Sequence, residues 1–377
     1  MHVVLWGAYD LGKPRIRILR AGLVRNGIQL TECHVDVWRG VEDKSQMHGV
    51  GRWLWRLLRL LAAYPLLIAR YLCLPRHDLV LVSYPGLLDL YVIRLFARMR
   101  KVPVAWDWFI SAYDTIVLDR RLLQPDRVVA KLIKAVEGCG ARRADLLFMD
   151  TAAHARRMES LYLLPRDSVG RVWVGAEAER FAPAPVVSPP ADGAPLRVLF
   201  YGQFIPLHGI ETIVAAAHLL CDAPVEWTLV GDGQEAGRIR NELASHPLAR
   251  LRWVPWVPYA ELAARIAEAD VCLGIFGTSD KAASVIPNKV FQTLCSGRPL
   301  ITRDSPAMRE LLPHPPRACR LVPPGDPAAL AAAVLAVGED LRYHADTLGD
   351  MQCVDSDVVG RQFLQLTDRF FEAWGRA

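Results

Sequence analysis

Residues Pro287-Asn288-Lys289-Val290-Phe291-Gln292-Thr293-Leu294-Cys295-Ser296-Gly297-Arg298-Pro299 put unpaired backbone amides and a cation in one turn. Proline suits a first helical position and glycine a helix end, so the spacing predicts a helix opening at Pro287 and closing at Gly297. Asn288 and Lys289 fall in its opening turn, which makes that turn a site for phosphate. The β-branched run Leu300-Ile301-Thr302 follows at once as a strand. Such a helix in the second half of an α/β chain points to a nucleotide-diphosphate ligand. Lys281 is a second cation for the same charge, and Arg303, just past the strand, a weaker one.

A second group of reactive side chains lies in Trp106-Asp107-Trp108-Phe109-Ile110-Ser111-Ala112-Tyr113-Asp114, after an apolar strand. Rings stack on sugar faces and carboxylates hold hydroxyls, so Trp108 and the two acids suit a sugar acceptor. Asp107 or Asp114 is positioned to orient an acceptor hydroxyl or take its proton. The first loop, Gly7-Ala8-Tyr9-Asp10-Leu11-Gly12-Lys13-Pro14, nearly spells a nucleotide-triphosphate loop, but Pro14 replaces the hydroxyl that magnesium needs. It reads instead as a glycine loop, with Gly12, Lys13, Arg15 and Arg17 near an anionic acceptor or donor. Asp355-Ser356-Asp357 precedes a helical run and reads as a helix cap. No metal and no resident cofactor are expected.

The elements that must position these residues alternate short apolar strands with longer helical stretches, the pattern of parallel sheets covered by helices. Expected strands are 2–6, 29–37, 78–83, 102–107, 145–149 and 171–174, then 196–201, 225–230, 250–254, 270–275, 299–302 and 319–322. Between the two series, 182–195 is rich in proline and alanine and reads as a linker. At 377 residues two domains are expected: one Rossmann-like domain over 1–180 and a second over 195–355. A terminal helix over 356–377 packs back on the first. Ligands then sit at strand ends in a deep cleft between the domains. The 52% hydrophobic content suits buried parallel strands, and a net charge of +5 with no basic–aromatic stripe argues against nucleic acid. Eight scattered cysteines without a C-x-x-C pair fit a reducing compartment and argue against disulfides.

Val198-Leu199-Phe200-Tyr201-Gly202-Gln203-Phe204 through His208-Gly209-Ile210-Glu211 opens the second half. Leu229-Val230-Gly231-Asp232-Gly233 and Ala269-Asp270-Val271 follow, then the 287–299 segment and Pro306-Ala307-Met308-Arg309-Glu310-Leu311. In this order and spacing the chain resembles the retaining glycosyltransferases of family 4, with the GT-B fold, of the bacterial membrane-associated type. The resemblance is strong over 196–325 and weaker over 1–175. It implies a metal-independent hexosyltransferase whose first domain, 1–180, binds the acceptor and whose second, 195–355, holds a nucleotide-sugar. Donor contacts fall on Gly202, Gln203, His208, Gly231, Lys281, Asn288, Lys289, Gln292 and Glu310, with Lys289 acting on the leaving diphosphate. The family places an arginine and a lysine near the Gly202 loop; here Gln203 and His208 stand there. Its two glutamates become Ser284 and Gln292, the latter able to hydrogen-bond a ribose hydroxyl. The family's histidine near the reacting sugar has Asp107 and Asp114 in its place.

From Lys44 to His77 no acidic residue occurs, while arginine, tryptophan and leucine alternate around Gly51–Pro65. Such a helix suits the plane of an anionic membrane, and it is too interrupted to cross one. The expected place is therefore cytoplasmic, peripheral at the inner face of the plasma membrane through 49–76. The expected function is sugar transfer to a glycan or polyprenyl-diphosphate-linked acceptor in surface polysaccharide or glycolipid synthesis. The alternative is a non-catalytic nucleotide-sugar-binding or scaffold protein of the same pathway.

Overall fold

The structure, a computed structural model, describes residues 1–38, 50–182, 194–343 and 351–375, with only the backbone described at 50, 52–54 and 56. The proline-rich stretch read as a linker lies, apart from its ends, outside the described residues. The chain divides into two compact units, 1–175 with 355–377, and 176–354.

Unit 1 is built on β1 (His2–Gly7), β2 (Gln29–His34), β3 (Leu79–Val82), β4 (Val104–Asp107), β5 (Leu146–Met149) and β6 (Val169–Arg171). They form one parallel sheet in the order β2-β1-β3-β4-β5-β6. β3, β4 and β5 are buried at every position, which is why they read as unbroken apolar runs rather than as alternation. The last strand was expected at 171–174 but occupies 169–171. Beyond Arg171 the backbone is satisfied mostly by side chains: the Val172 and Trp173 carbonyls accept from Arg15, and the Trp173 amide donates to Gln362.

The connecting helices are α1 (Pro14–Arg25), α2 (Val50–Leu72), α3 (Leu87–Met99), α4 (Val128–Ala141) and α5 (Ala152–Tyr162). α2 continues through Pro65, and no helix among the described residues is long and apolar enough to cross a membrane. The last helix of the chain (Ser356–Trp374) lies against α1. Its approach is backbone on backbone: a Cβ on Gly22 would stand 2.2 Å from the Ser356 carbonyl, and one on Gly360 2.1 Å from the Gly22 carbonyl. Asp355 caps this helix by accepting from the Val358 amide at 3.0 Å.

Unit 2 contains β7 (Leu196–Tyr201), β8 (Val225–Val230), β9 (Leu251–Val254), β10 (Val271–Leu273), β11 (Leu300–Arg303) and β12 (Cys319–Val322). These form a second parallel sheet in the order β12-β11-β10-β7-β8-β9. The chain reverses its direction of strand addition beside β7, so β7 and β10 flank the switch point where such sheets hold ligands at their C-terminal edge. α6 (Ile210–Leu219), α7 (Ala236–Ser245), α8 (Leu262–Glu268) and α9 (Asp280–Ser284) belong to this unit. So do α10 (Asn288–Cys295), α11 (Pro306–Leu311) and α12 (Pro327–Tyr343).

The cysteine expectation is corrected in this unit. Cys295, at the end of α10, and Cys353 form a disulfide with their Cα atoms 4.2 Å apart, across 58 residues of sequence. The other six are free thiols. Only the fold brings that pair together, so no spacing rule finds it, and the cysteines no longer support an argument about compartment.

Candidate active site

The C-terminal edge of the second sheet gathers the residues expected at a donor phosphate. α10 starts at Asn288 with Pro287 in the cap position, and Gly297 takes a left-handed φ of 65° behind it. Its first turn directs the Lys289 side chain under the loop that follows β7. The ammonium is buried, with 5% of the residue exposed, and has no hydrogen-bond partner among the described residues. It rests 3.8 Å from the centre of the Phe200 ring and 5.9 Å from that of Tyr201. Aromatic faces attract a cation but replace its hydration only in part. Burial therefore pushes the Lys289 amine well below its ordinary range.

Above this ammonium lies Gly202, at a φ of +143° that side-chain-bearing residues rarely adopt. A Cβ there would meet Lys289 Nζ at 2.9 Å and His208 Cε1 at 3.0 Å. Glycine thus keeps backbone, cation and imidazole within reach of one small volume. His208 Nδ1 donates to the Gln203 carbonyl, and its ring packs edge-on to Phe200 at 5.8 Å. Gly231, after β8, closes against the same loop: a Cβ there would fall 1.9 Å from the Gly202 carbonyl. The Gly202 amide donates to Val230 and the Phe204 amide to Asp232, each at 2.9 Å, tying the two loops together. Gly202→Ala is expected to lower stability by about 1–3 kcal/mol through φ strain and to weaken nucleotide-diphosphate binding by at least about tenfold, or about 1.4 kcal/mol. Urea unfolding and calorimetric titration check both.

Gln292 has a different part from the one expected. It is buried, and its carbonyl accepts from Tyr201 Oη at 3.1 Å while its amide donates to Tyr259 Oη at 3.3 Å. Tyr259 in turn donates to Glu177 at 2.6 Å. The amide thus links two phenols, and a ribose hydroxyl would have to compete for atoms already engaged. Ser284 donates to the Asp280 carbonyl at 2.7 Å. Lys281 is buried in α9, which packs beside residues 206–208. Asn288 is half-buried at the start of α10, and Glu310 half-buried in the second turn of α11, whose cap is Ser305 accepting from Met308 at 3.1 Å.

The residues expected on the acceptor side are distributed differently in unit 1. Asp107 is fully buried, and its two oxygens accept from Arg15 at 2.9 and 3.0 Å. Arg15 also donates to the Val172 and Trp173 carbonyls, each at 2.7 Å, and lies over the Phe109 and Phe148 rings. Burial pushes the Asp107 carboxyl up and Arg15 pulls it back. Neither member is placed to reach a ligand: the pair is an internal tie between α1, β4 and the segment after β6. Trp108, expected as a stacking platform, is in the core, stacked on Trp106 at 4.9 Å. Asp114 is buried and accepts from Arg157 at 2.7 and 3.1 Å. Gly12 and Lys13 remain at the loop before α1, where the Gly12 amide donates to Asp10 and its carbonyl accepts from Arg17.

Two residues that the sequence did not single out organise this region. Glu137, buried in α4, accepts from Ser111, Tyr162 and the amides of Ala112 and Tyr113 at 2.7–2.9 Å. It fixes the whole 108–114 loop. Its signal was a lone acid on a helix whose only other charges are Lys131 and Lys134. His154 donates from Nδ1 to Asp150 at 2.6 Å, and its buried Nε2 has no hydrogen-bond partner among the described residues. An Asp and a His four residues apart at a helix start carry that signal. Among the described residues no cluster of histidine, cysteine and acid could hold a metal.

Residues 195–340 match a family model described as "Glycosyl transferases group 1". The "Probable glycosyltransferase WbjE" of Pseudomonas aeruginosa is 25% identical over 149 residues, 36% of this chain and 34% of that protein. The match thus spans about a third of that relative's length. Among solved structures, the sucrose-phosphate synthase of Thermosynechococcus elongatus superposes with a TM-score of 0.66 at 18% identity, covering 99% of this chain and all of that one. The catalytic domain of Arabidopsis thaliana starch synthase IV, bound to ADP and acarbose, gives 0.67 at 11%, covering 98% of each. Anabaena HepE with UDP and glucose gives 0.61 at 13%, covering 97% of this chain and 99% of that one. The two parallel six-stranded sheets with flanking helices are the GT-B fold of two Rossmann-like units.

Proposed function

We propose that the chain is a glycosyltransferase that takes a sugar from a nucleotide-sugar, with the donor diphosphate seated between Gly202 and the start of α10. The observation that carries this is the buried Lys289 amine beside Gly202, whose Nζ has no hydrogen-bond partner among the described residues. A diphosphate supplies the missing counter-charge. The family match over 195–340 covers this site, and HepE and starch synthase IV, which share the fold, hold UDP and ADP. As the sugar–phosphate bond breaks, negative charge grows on the leaving diphosphate, and the ammonium and the amides of the first turn of α10 stabilise it. In unit 1 the carboxylates expected to take a proton are engaged by arginines. We therefore assign the acceptor proton to the leaving phosphate, as the resemblance to retaining enzymes implies, with no metal required.

The acceptor in this proposal is lipid-linked, in glycolipid or surface polysaccharide synthesis. α2 supports that reading: Trp55 is 67% exposed, Leu58 and Leu61 are exposed beside Arg59, and no acid occurs from Lys44 to His77. A helix of this kind binds in the plane of an anionic membrane at its inner face. The test is incubation of the protein with labelled UDP-, GDP-, ADP- and TDP-sugars and anionic vesicles carrying a membrane lipid extract. Label moving into the organic-soluble fraction supports the proposal. A second reading, a binder without turnover, is favoured by the neutral Ser284 and Gln292; it predicts donor binding with no labelled product in any arm.

The same site sets a pH dependence. Above the depressed pKa of ligand-free Lys289 the amine is neutral, and a bound diphosphate restores its charge, so binding takes up a proton. Affinity therefore falls as pH rises, by up to about tenfold per unit, until the bound-state pKa is passed. Below the ligand-free pKa this group contributes no slope. Titration at about pH 7.5–9.5, above the second phosphate pKa of about 6, checks this, and Lys289→Met removes the slope.

A further inference from the structure

Unit 1 contains a cavity of about 240 Å³ that no step above uses. It lies at the C-terminal edge of the first sheet. Ala8 follows β1, Val37 follows β2, and the turn at Gly86 follows β3. Leu57, Leu60 and Tyr64 of α2 close it from above.

Among the described residues that line it the one charged side chain is Asp89, and both oxygens of that carboxylate are turned to partners. The Tyr64 hydroxyl donates to one at 2.9 Å and the Ala8 amide to the other at 3.1 Å. The Trp38 indole N–H, also in the wall, donates to the Ala8 carbonyl at 2.7 Å. These polar groups are satisfied by one another, so a sugar or phosphate entering the cavity would lose its hydration and gain few hydrogen bonds. Hydrocarbon has no such penalty. Apolar-walled cavities of only about 150 Å³ stay dry and bind small hydrocarbons.

The rim shows where such a ligand comes from. Leu57 of α2 and Leu88 of α3 line the cavity yet are 42% and 43% exposed. Beyond them α2 presents Trp55, Leu58 and Leu61 with Arg59, and α3 presents Leu95 and Met99 with Arg98. α2 and α3 lie side by side. An apolar cavity therefore opens within an apolar and basic surface, the chemistry of an anionic lipid: chain inward, phosphate near the arginines.

We propose that this cavity takes the hydrocarbon segment of an acceptor lipid phosphate, holding the chain while the head group stays at the rim near Arg59 and Arg98. The acceptor role rests on the lipid-linked reading above. The cavity itself is tested by direct binding, without transfer.

The experiment titrates the full-length protein with farnesyl monophosphate, dodecyl phosphate and inorganic phosphate, each below its aggregation concentration. Thermal shift and tryptophan fluorescence report binding, the latter because Trp38 lines the cavity. Wild type, Leu57→Asp, Leu88→Asp and Leu88→Met are compared. Both positions are rim-exposed, and an unchanged circular-dichroism spectrum and denaturant midpoint confirm that each variant is folded. Chain-bearing phosphates should bind wild type and Leu88→Met, at least tenfold weaker in either aspartate variant, with no response to inorganic phosphate. Preference for farnesyl over dodecyl chains identifies a prenyl carrier; equal binding identifies any hydrocarbon chain. No binding of either chain, or binding that both aspartate variants retain, overturns the proposal. Binding here with no label transfer to lipid would retain the cavity as a lipid site while refuting the acceptor reading.

Discussion

Replacing Lys289 with methionine is expected to make the protein more stable and to abolish use of the nucleotide-sugar. The two effects have one cause. In the ligand-free fold the ammonium is buried against Phe200 without an acceptor, and burial depresses its pKa. A buried polar group without a partner costs about 1–3 kcal/mol, more when charged, and methionine fills the same volume without that cost. The unfolded lysine keeps its proton up to about pH 10.4, while the folded one loses it at lower pH. Wild-type stability should therefore climb with pH between the two pKa values, and the variant should lack that slope. Turnover should fall by about a hundredfold or more, the scale of removing a charge-stabilising group at a leaving anion. Urea unfolding across pH, with donor turnover, measures both. A surface lysine would change neither stability nor turnover, and a purely structural one would lower stability.

The second large effect separates structure from chemistry at Asp107. Asp107→Ala leaves the Arg15 guanidinium buried with two carbonyl acceptors and no counter-charge. Breaking one side of a buried pair costs about 3–5 kcal/mol, a large part of a typical domain's stability. Loss of soluble protein should follow. The fraction that folds should keep nucleotide binding, because the donor residues all lie in unit 2. An Asp107→Ala protein as stable as wild type, yet unable to transfer sugar, would restore the catalytic role that the sequence suggested. Denaturant midpoint and donor affinity decide the matter.

The difference between these two residues shows what a sequence can carry. Lys289 was legible because its signal is local: proline, a polar pair, an apolar face and a closing glycine set both the helix and the place of the cation within one turn. The strands of unit 2 were legible for the same reason, each a short apolar run between turn residues. Asp107 was not. A carboxylate at a strand end looks alike whether it faces a ligand or an arginine 92 positions away, and only the fold puts Arg15 beside it. Trp108 misled similarly, since an aromatic after a strand gives no sign of which side of the sheet it takes. Gln292 needed Tyr201 and Tyr259 in space before its amide made sense, and the Cys295–Cys353 bond joins segments that no spacing rule relates.

The central claim is that a nucleotide diphosphate sits between Gly202 and Lys289, and calorimetric titration of the wild-type protein with UDP, GDP, ADP and TDP at two pH values tests it most directly. At least one of them is expected to bind with uptake of a proton, and Lys289→Met to weaken that binding and remove the proton uptake. Nucleotide binding that Lys289→Met leaves intact, or no binding by any of the four, would contradict it.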